Sequence, residues 1–355
     1  RATTTYAIGL IKTGLVQDSA LQAVGALEWI DLGLSAQLLD TLANNTLLGL
    51  GEHDLADRPR PSLNPAANKY QRGRLLVVAG SEAYQGAASL SLAGASSSGC
   101  GSLRAALPQA LAGSFWQQHP HVVVSQSLAC NSEGCLRLDQ LLDLEPQRLD
   151  ALLIGPGIGP GSTSHTPQAC QGEADYWQSL LSWPGLLVLD ADGLNRLADP
   201  VAHGLGLSAS GWLRQRLGAT WITPHPGEFA RLFPKLAHSA SHPALAADAA
   251  AEAARSSGAC VLLKGARSVV AAPDGRRWQL LQASPSSARA GLGDVLAGYA
   301  AGLGAMAMAA TGEADAIWLA AAGLAHAQAG RQLSGPAGSG AGNPMAIAQR
   351  LANLC

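Results

Sequence analysis

The sequence has little charge, and this excludes one class of partner. Only 14% of its 355 residues are charged, and 23 Lys and Arg against 25 Asp and Glu give a net charge of −2. A protein that binds along a nucleic acid neutralises its phosphates with a surplus of basic side chains. Because this chain has no such surplus, we do not expect nucleic acid among its partners.

The sequence also lacks the cysteine spacing of a zinc site or of a disulfide framework. It has no CxxC pair and no regular repeat among its six cysteines, which are Cys100, Cys130, Cys135, Cys170, Cys260 and Cys355. We therefore expect reduced thiols in a cytosolic protein.

Signals for export and for membrane insertion are missing as well. No basic region leads into an apolar one near Arg1, so a signal peptide is not predicted. The longest apolar stretch, Val295 to Ala310, is rich in Gly and Ala, which favours a packed core helix over a membrane span. The first residue is not Met, and we expect the sequence to begin inside a longer protein.

Several common catalytic motifs are absent. No GxxxxGK[ST] phosphate loop and no GxSxG turn occurs, which argues against a P-loop NTPase and an α/β-hydrolase. The run IGPGIGPG at residues 154–161 lacks the GxGxxG spacing of a Rossmann dinucleotide site. Its glycines can still bring the main chain close to a ligand.

What is present is an alternation of apolar strands with Ala-rich helical stretches. This order predicts an α/β fold with a mostly parallel central sheet and helices on both faces. The predicted strands are Leu75–Ala79, Val122–Val124, Ala151–Ile154, Leu186–Leu189, Thr220–Ile222 and Cys260–Leu263. Prolines and polar residues interrupt the pattern at residues 48–72, the predicted linker. We expect a first segment of residues 1–60 and a main domain of residues 61–355.

Five predicted strands are followed at once by a turn rich in Gly, Pro or Asp. In chain order the turns read GSEAYQGA, GPGIGPG, DADGLN, TPHPGE and KGARS. In open parallel sheets, ligands bind beyond the carboxyl ends of the strands. The five turns should therefore meet at one crevice.

The segment ARAGLGDVLAG combines glycines with Asp294 at the start of an apolar helix. Main-chain amides of Gly291, Leu292 and Gly293 would form an anion hole beside the positive end of the helix dipole. Asp294 could then act as a general base or reach a substrate through a metal-bound water. The alternative is a plain helix N-cap, a position that Asp favours.

Other turns carry side chains suited to a ligand. Lys264 follows an apolar strand and offers a cation for nucleotide phosphates, unless it is only a solvated strand end. His225 lies between two prolines, as a substrate contact or as a hydrogen-bonded turn histidine. Asp190 and Asp192 could orient a polar substrate, bind a cation or cap the helix that follows.

The order of these motifs resembles that of the ADP/ATP-dependent NAD(P)H-hydrate dehydratases, a branch of the ribokinase-like fold. The matching series is GSEAYQGAASL, IGPGIG, LDADGLN, TPHPGEF, LLKGA and GLGDVLAG, from about Arg72 to about Arg331. The stretch before it, with IKTGL at Ile11–Leu15 and IDLGL at Ile30–Leu34, is similar to the tail of an NAD(P)H-hydrate epimerase domain. In bacterial bifunctional repair proteins that domain precedes the dehydratase. The resemblance implies that residues 1–60 are a remnant without its catalytic part.

The resemblance implies a cytoplasmic lyase that repairs a metabolite. Reduced nicotinamide cofactors take up water at C6, and the family restores the S-form of hydrated NADH and NADPH. It consumes ADP or ATP and releases AMP or ADP with phosphate, and Mg²⁺ is the implied cation. A homo-oligomer, normally fused to the epimerase domain, is also implied. The sequence identifies no metal ligand and does not distinguish ADP from ATP.

The resemblance also assigns roles to residues at matching positions. Asp294 is the implied catalytic base. Contacts to the hydrated cofactor are implied for Ala87, Gly157, Gly159, His225 and Asp294, and contacts to the nucleotide for Lys264, Gly265, Ala266, Arg267, Ser268 and Gly293.

Two motifs depart from the family pattern. Leu292 stands inside the GxGD turn, where the family often has Thr or Ser, and removes a possible hydroxyl contact while leaving the main chain intact. DADGL replaces the commoner DADAL, and its glycine at a helix start should cost little stability.

Two other functions stay open at the level of sequence. A kinase of the same superfamily would phosphorylate a hydroxymethyl group with the same Asp and anion hole, although TPHPGEF and GPGIG favour the dehydratase. The second alternative is a catalytically silent nucleotide-binding module, and the intact Asp294 argues against it.

Overall fold

The chain folds into strands and helices that alternate over most of its length. The computed structural model describes residues 1–42, 46–57, 60–62, 64–143, 148–161, 167–199, 204–242, 244–282, 288–334 and 342–354. Its strands are β1 (Thr4–Ile8), β2 (Ala26–Ile30), β3 (Leu47–Leu50), β4 (Arg74–Val78), β5 (Ser102–Pro108), β6 (Val123–Leu128), β7 (Ala151–Ile154), β8 (Leu186–Leu189), β9 (Thr220–Ile222), β10 (Cys260–Leu263), β11 (Val269–Ala271) and β12 (Arg277–Leu280). Its α-helices are α1 (Leu21–Val24), α2 (Ala36–Leu39), α3 (Asp54–Asp57), α4 (Gln85–Ser97), α5 (Gln109–Ala112), α6 (Pro167–Ser182), α7 (Asp192–Ala198), α8 (Ala209–Gln215), α9 (Pro226–Leu232), α10 (Ala237–Ser241), α11 (Ala246–Ser257), α12 (Leu292–Thr311), α13 (Ala316–Ser334) and α14 (Pro344–Ala352).

A ten-stranded sheet forms the centre of the molecule, in the order β3-β12-β11-β10-β9-β8-β7-β4-β5-β6. From β6 to β10 every neighbouring pair is parallel, whereas β11 is antiparallel to both β10 and β12. An apolar core lies on each face of the sheet. The predicted α/β fold with a mostly parallel sheet is confirmed, and all six predicted strands are present.

The predicted linker at residues 48–72 is wrong at its beginning. Leu47–Leu50 forms strand β3, which pairs in parallel with β12 at one edge of the sheet. The local signal is a run of only four residues, LLGL, and the partner strand lies far along the chain. The short helix α3 also falls inside this stretch. The division between residues 60 and 61 remains a prediction.

The N-terminal residues form a small structured unit of their own. Strands β1 and β2 pair in parallel as a separate two-stranded sheet. The Thr5 hydroxyl donates a hydrogen bond to the Val24 carbonyl at 2.7 Å, and Val24 is buried. The large side chains of Tyr6 and Trp29 stay more than half exposed on this sheet.

Four cysteines have described side chains, and each is a free thiol: Cys100, Cys130, Cys135 and Cys260. The side chains of Cys170 and Cys355 lie outside the described residues. Burial raises the pKa of the Cys100 and Cys260 thiols to about 12, so both are protonated at neutral pH.

Helix α12 runs through the core and carries Asp294 in its first turn. By length and composition it is long and apolar enough to cross a membrane, but most of it is buried inside the protein, as the sequence predicted. It packs closely against α4 because glycines stand at the contacts. A Cβ on Gly298 would lie 1.9 Å from the Ser91 carbonyl oxygen, and one on Gly94 would lie 2.1 Å from the Val295 carbonyl oxygen.

We predict that Gly298→Ala lowers the free energy of unfolding by about 2 kcal/mol or more, because the added methyl group forces α12 away from α4. The measurement is urea unfolding at equilibrium. Gly86→Ala is the matched control, since Gly86 lies in α4 with open space around its Cβ position. That change should be neutral or stabilise the protein by up to about 1 kcal/mol. Equal unfolding midpoints for the two variants would contradict the close packing.

Candidate active site

The carboxyl ends of strands β8, β9 and β10 meet at one point, as the sequence predicted. Lys264, directly after β10, places its Nζ 2.7 Å from Oδ1 of Asp190, directly after β8. The hydroxyl of Thr223, directly after β9, donates to the same Oδ1 at 2.7 Å. Asp190 is only 1% exposed. An ion pair and a hydroxyl therefore hold three neighbouring strand ends together.

The cation of Lys264 lies among several carboxylates. Its Nζ is 3.8 Å from Oε2 of Glu228 in addition to its contact with Asp190. Burial acts to lower the pKa of Lys264, but Asp190, Glu228 and Asp294 together raise it above its ordinary value. Lys264 is therefore a permanent cation where these strands end, and it is not merely a solvated strand end.

The GxGD turn lies directly against this ion pair. Gly291 precedes helix α12 with a φ of +86°, a conformation that favours glycine. A Cβ on Gly293 would lie 3.4 Å from Lys264 Nζ and 3.9 Å from Asp190 Oδ2. The start of α12, where the helix dipole is positive, thus lies close to a lysine, an arrangement that suits an anion.

Asp294 is the third residue of α12 and does not cap it. The N-cap position is Gly291, without a side-chain hydrogen bond, so the helix-cap alternative is wrong. Burial, and then the negative charge of Asp190, raise the pKa of Asp294 to about 7, although Lys264 acts in the opposite direction. A carboxyl group with that pKa can accept and release a proton near neutral pH.

His225 has the hydrogen-bonded turn role that the sequence left open, and its contact with a substrate remains a prediction. It caps helix α9, with its Nδ1 accepting from the Gly227 amide at 3.0 Å and its own amide donating to Glu228 Oε2 at 2.8 Å. Burial, and then the charge of Lys264, lower its pKa, so the ring is neutral at pH 7 and carries its proton on Nε2. The side chain is 52% exposed, which leaves it available to a ligand.

The GPGIG loop faces the start of α4 and the DADGL turn. A Cβ on Gly157 would lie 2.5 Å from the Cβ of Ala87, so these two implied substrate contacts are neighbours. The Gly159 amide donates to Asp192 Oδ2 at 3.0 Å, and the Gly159 carbonyl accepts from Arg196 Nε at 2.9 Å. The Asp192 carboxylate thus binds the main chain of the GPGIG loop, whereas the Asp190 carboxylate pairs with Lys264.

The glycine of DADGL lies against the main chain of the GPGIG loop. A Cβ on Gly193 would lie 2.4 Å from the Ile154 carbonyl oxygen, and one on Gly155 would lie 1.8 Å from the Asp190 carbonyl oxygen. The residue between the two aspartates, Ala191, has a φ of +48°. The two turns therefore touch through their main chains, and glycine at position 193 avoids a collision, which agrees with the expectation that it costs little stability.

The implied nucleotide turn, residues 264–268, is closed by its own serine. The Ser268 hydroxyl accepts from the Gly265 amide at 3.3 Å and lies 3.2 Å from the Gly265 carbonyl. Gly265 and Ala266 are exposed. The Arg267 side chain donates to the Leu281 carbonyl at 3.1 Å and the Leu15 carbonyl at 2.7 Å. Of this turn, Lys264 alone reaches the Asp190 carboxylate.

Arg196, which the sequence analysis did not single out, is a buried side chain that binds the main chain of the GPGIG loop. It is 1% exposed, pairs with Glu173 at 3.1 Å and donates to the carbonyls of Leu136, Ile158 and Gly159. Its signal in the sequence is an arginine among the apolar residues of α7. Buried charges of this kind are retained only where they are fully paired.

No group of three or more His, Cys, Asp or Glu side chains suited to a metal ion occurs within the described ranges. The Oδ1 atom of Asp190 is already used by Lys264 and Thr223. The described residues therefore do not build a protein-only metal cage.

We predict that Asp294→Asn stabilises the protein at pH 8 by about 2–4 kcal/mol, because a pKa unit corresponds to about 1.4 kcal/mol. The pKa of Asp294 is raised in the fold, so the wild type loses stability as pH rises from about 4 to 7. The variant lacks this loss, and the two proteins should be equally stable near pH 4. Chemical denaturation at both pH values measures the difference. A variant less stable than the wild type at pH 8 would show that the folded protein does not destabilise the ionised Asp294 carboxylate.

Comparisons with known proteins agree with this fold. The structure of a ribokinase-like superfamily protein from Enterococcus faecalis matches with a TM-score of 0.66 at 21% identity, covering 88% of this chain and 96% of that one. The structure of an ADP/ATP-dependent NAD(P)H-hydrate dehydratase from Bacillus subtilis, co-crystallised with ATP and Mg²⁺, matches with a TM-score of 0.61 at 22% identity, covering 84% and 94%. The fold is therefore ribokinase-like.

The family follows from the sequence matches. The NAD(P)H-hydrate dehydratase family matches residues 75–352. An ADP-dependent (S)-NAD(P)H-hydrate dehydratase of Xanthomonas campestris is 34% identical over 78% of this chain and 86% of its own length. The chain belongs to the NAD(P)H-hydrate dehydratase family.

Longer relatives match as well. A bifunctional NAD(P)H-hydrate repair enzyme of Gloeobacter violaceus is 39% identical over 84% of this chain and 54% of its own length. One of Synechocystis is 34% identical over 84% of this chain and 52% of its own length. The chain thus spans about half the length of these curated relatives.

Proposed function

We propose that the chain is a lyase that dehydrates the S-form of hydrated NADH and NADPH at the expense of ADP or ATP. The observation that carries this proposal is the position of Asp294. Its pKa is raised to about 7 at the start of α12, beside the Gly291–Gly293 amides and near the Lys264 cation. A base, an anion hole and a cation together suit transfer of a phosphoryl group to a hydroxyl.

The proposed reaction begins with a proton transfer. The Asp294 carboxylate takes the proton from the hydroxyl on C6 of the hydrate, and the hydroxyl oxygen attacks the terminal phosphorus of the nucleotide. The phosphoanhydride bond breaks, and AMP leaves when ADP is the donor, or ADP when ATP is the donor. The amides at the start of α12 stabilise negative charge on the transferred group.

The second half of the reaction needs little from the protein. Phosphate is a better leaving group than hydroxide, and the electron pair of the ring nitrogen expels it from C6. A proton is lost from the ring, and the reduced nicotinamide returns. The sum is one hydrate and one nucleotide converted to one NAD(P)H, one shortened nucleotide and one phosphate.

The nearby residues favour this substrate pair on physical grounds. Lys264 supplies a fixed cation for the phosphates, and Gly157, which has no side chain, lies against the Cβ atoms of Ala87 and Tyr84. The ring of His225 is half-exposed, and its Nε2 lies 3.4 Å from Oε1 of Glu228, so a polar substituent of the substrate would share this nitrogen with Glu228. Magnesium is expected with the nucleotide, but we assign it no ligand and no step.

The proposal is tested by incubating the purified chain with chemically hydrated NADH, Mg²⁺ and either ADP or ATP. Recovery of the reduced-nicotinamide absorbance is the readout. We expect nucleotide-dependent recovery. Its rate should fall about 100-fold or more in Asp294→Asn, because a general base typically accelerates a reaction by at least about that factor. The faster nucleotide identifies the donor. A folded, nucleotide-binding chain without recovery would contradict the proposal and direct the search to hydroxymethyl substrates.

A pH profile checks the role of Asp294 separately. The base acts only when ionised, so kcat/KM should rise with pH and level off above an apparent pKa of about 7. The residual activity of Asp294→Asn should lack this rise. A wild-type profile that is flat between pH 5.5 and 8.5 would exclude Asp294 as the titrating base.

A further inference from the structure

The N-terminal segment reaches the implied nucleotide turn through Asp18. Its two carboxylate oxygens accept from the main-chain amides of Ala266 at 3.0 Å and Arg267 at 2.9 Å. Hydrogen bonds from amides to an ionised acceptor are among the stronger ones in proteins. Asp18 lies well before residue 75, where the family match begins. A residue outside the matched region therefore contacts the main chain of the turn.

Neighbouring residues hold this contact in register. The carbonyl of Leu15 accepts from Arg267 Nη1 at 2.7 Å, and the carbonyl of Val16 accepts from Gln279 Nε2 at 3.2 Å. Val16, Arg267 and Gln279 are all buried. Three residues of the segment, Leu15, Val16 and Asp18, thus attach it to β12 and to the turn by independent hydrogen bonds. Asp18 is the one among these three that carries a charge.

Charge gives Asp18 a second effect on the turn. Burial lowers the pKa of the Arg267 guanidinium, and Asp18 acts in the opposite direction. The guanidinium otherwise donates to main-chain carbonyls, which carry no formal charge. A buried cation without a negative partner is costly. Removing the Asp18 charge therefore weakens the hydrogen bonds from the two main-chain amides, and it also removes a negative charge that stabilises the buried Arg267 cation.

We propose that Asp18 is a positioning residue for the nucleotide, acting through the main chain of residues 264–268. Its carboxylate fixes the amides of Ala266 and Arg267 from the N-terminal side, and the Ser268 hydroxyl closes the same turn from within. The turn then holds its shape before the nucleotide arrives, which lowers the ordering cost of binding. This proposal rests on the function proposed above.

The test compares ADP and ATP binding by isothermal titration calorimetry with steady-state kinetics on hydrated NADH. Asp18→Ala should raise the nucleotide Kd and KM about tenfold, with kcat and the KM for hydrated NADH changed less than twofold. Asp18→Asn keeps one acceptor without the charge and should give a smaller increase. Asp40→Asn is the matched control, because it removes an equal charge from the same N-terminal segment at the end of α2.

The outcomes separate this proposal from the function itself. Nucleotide Kd unchanged in Asp18→Ala, beside an active wild type, would overturn the positioning role and leave the dehydratase. Tighter nucleotide binding in Asp18→Ala would also overturn it, because the carboxylate would then compete with the nucleotide for the amides. A wild type that binds neither ADP nor ATP would overturn both proposals.

Discussion

The buried ion pair of Lys264 and Asp190 determines the geometry of the crevice. It joins the ends of β8 and β10 across β9, whose Thr223 hydroxyl completes the cluster. Leaving either charge without its partner would be strongly unfavourable at this depth. The pair also acts on Asp294, whose pKa is raised first by burial and then by Asp190, whereas Lys264 lowers it. One interaction therefore serves both the fold and the proposed chemistry.

Close main-chain approach is the second constraint, and it explains the composition. Asp294 is close enough to the ion pair to interact with its charges because α12 lies deep in the core, against α4 and the sheet. That depth requires glycine at positions such as Gly298, where a Cβ would collide with a carbonyl oxygen. The same holds for Gly155 and Gly193 between two neighbouring turns. A chain with 41 glycines and only 5% aromatic residues is built for such contacts.

Local signals made much of the fold predictable. Continuous apolar runs identified the buried parallel strands, and the turns that follow them were correctly expected to meet at one edge. Strand β3 was missed because its four-residue run gains meaning only beside β12, and β5, β11 and β12 were not identified either. The contact of Asp18 with the amides of Ala266 and Arg267 was also beyond reach, since no local pattern shows which loop a distant carboxylate will meet. Both are contacts between residues far apart in the chain, and the periodicity of a sequence does not show which distant segments will pair.

The central claim is that the hydroxyl oxygen of the hydrate ends up in phosphate, and an isotope can follow it. Hydrated NADH prepared in ¹⁸O-labelled water carries the label in the hydroxyl on C6. A single turnover in unlabelled water with ADP or ATP, followed by mass analysis of the products, locates that oxygen. The account predicts one ¹⁸O atom in each released phosphate. Unlabelled phosphate, with the ¹⁸O released as water, would contradict phosphoryl transfer to the hydrate.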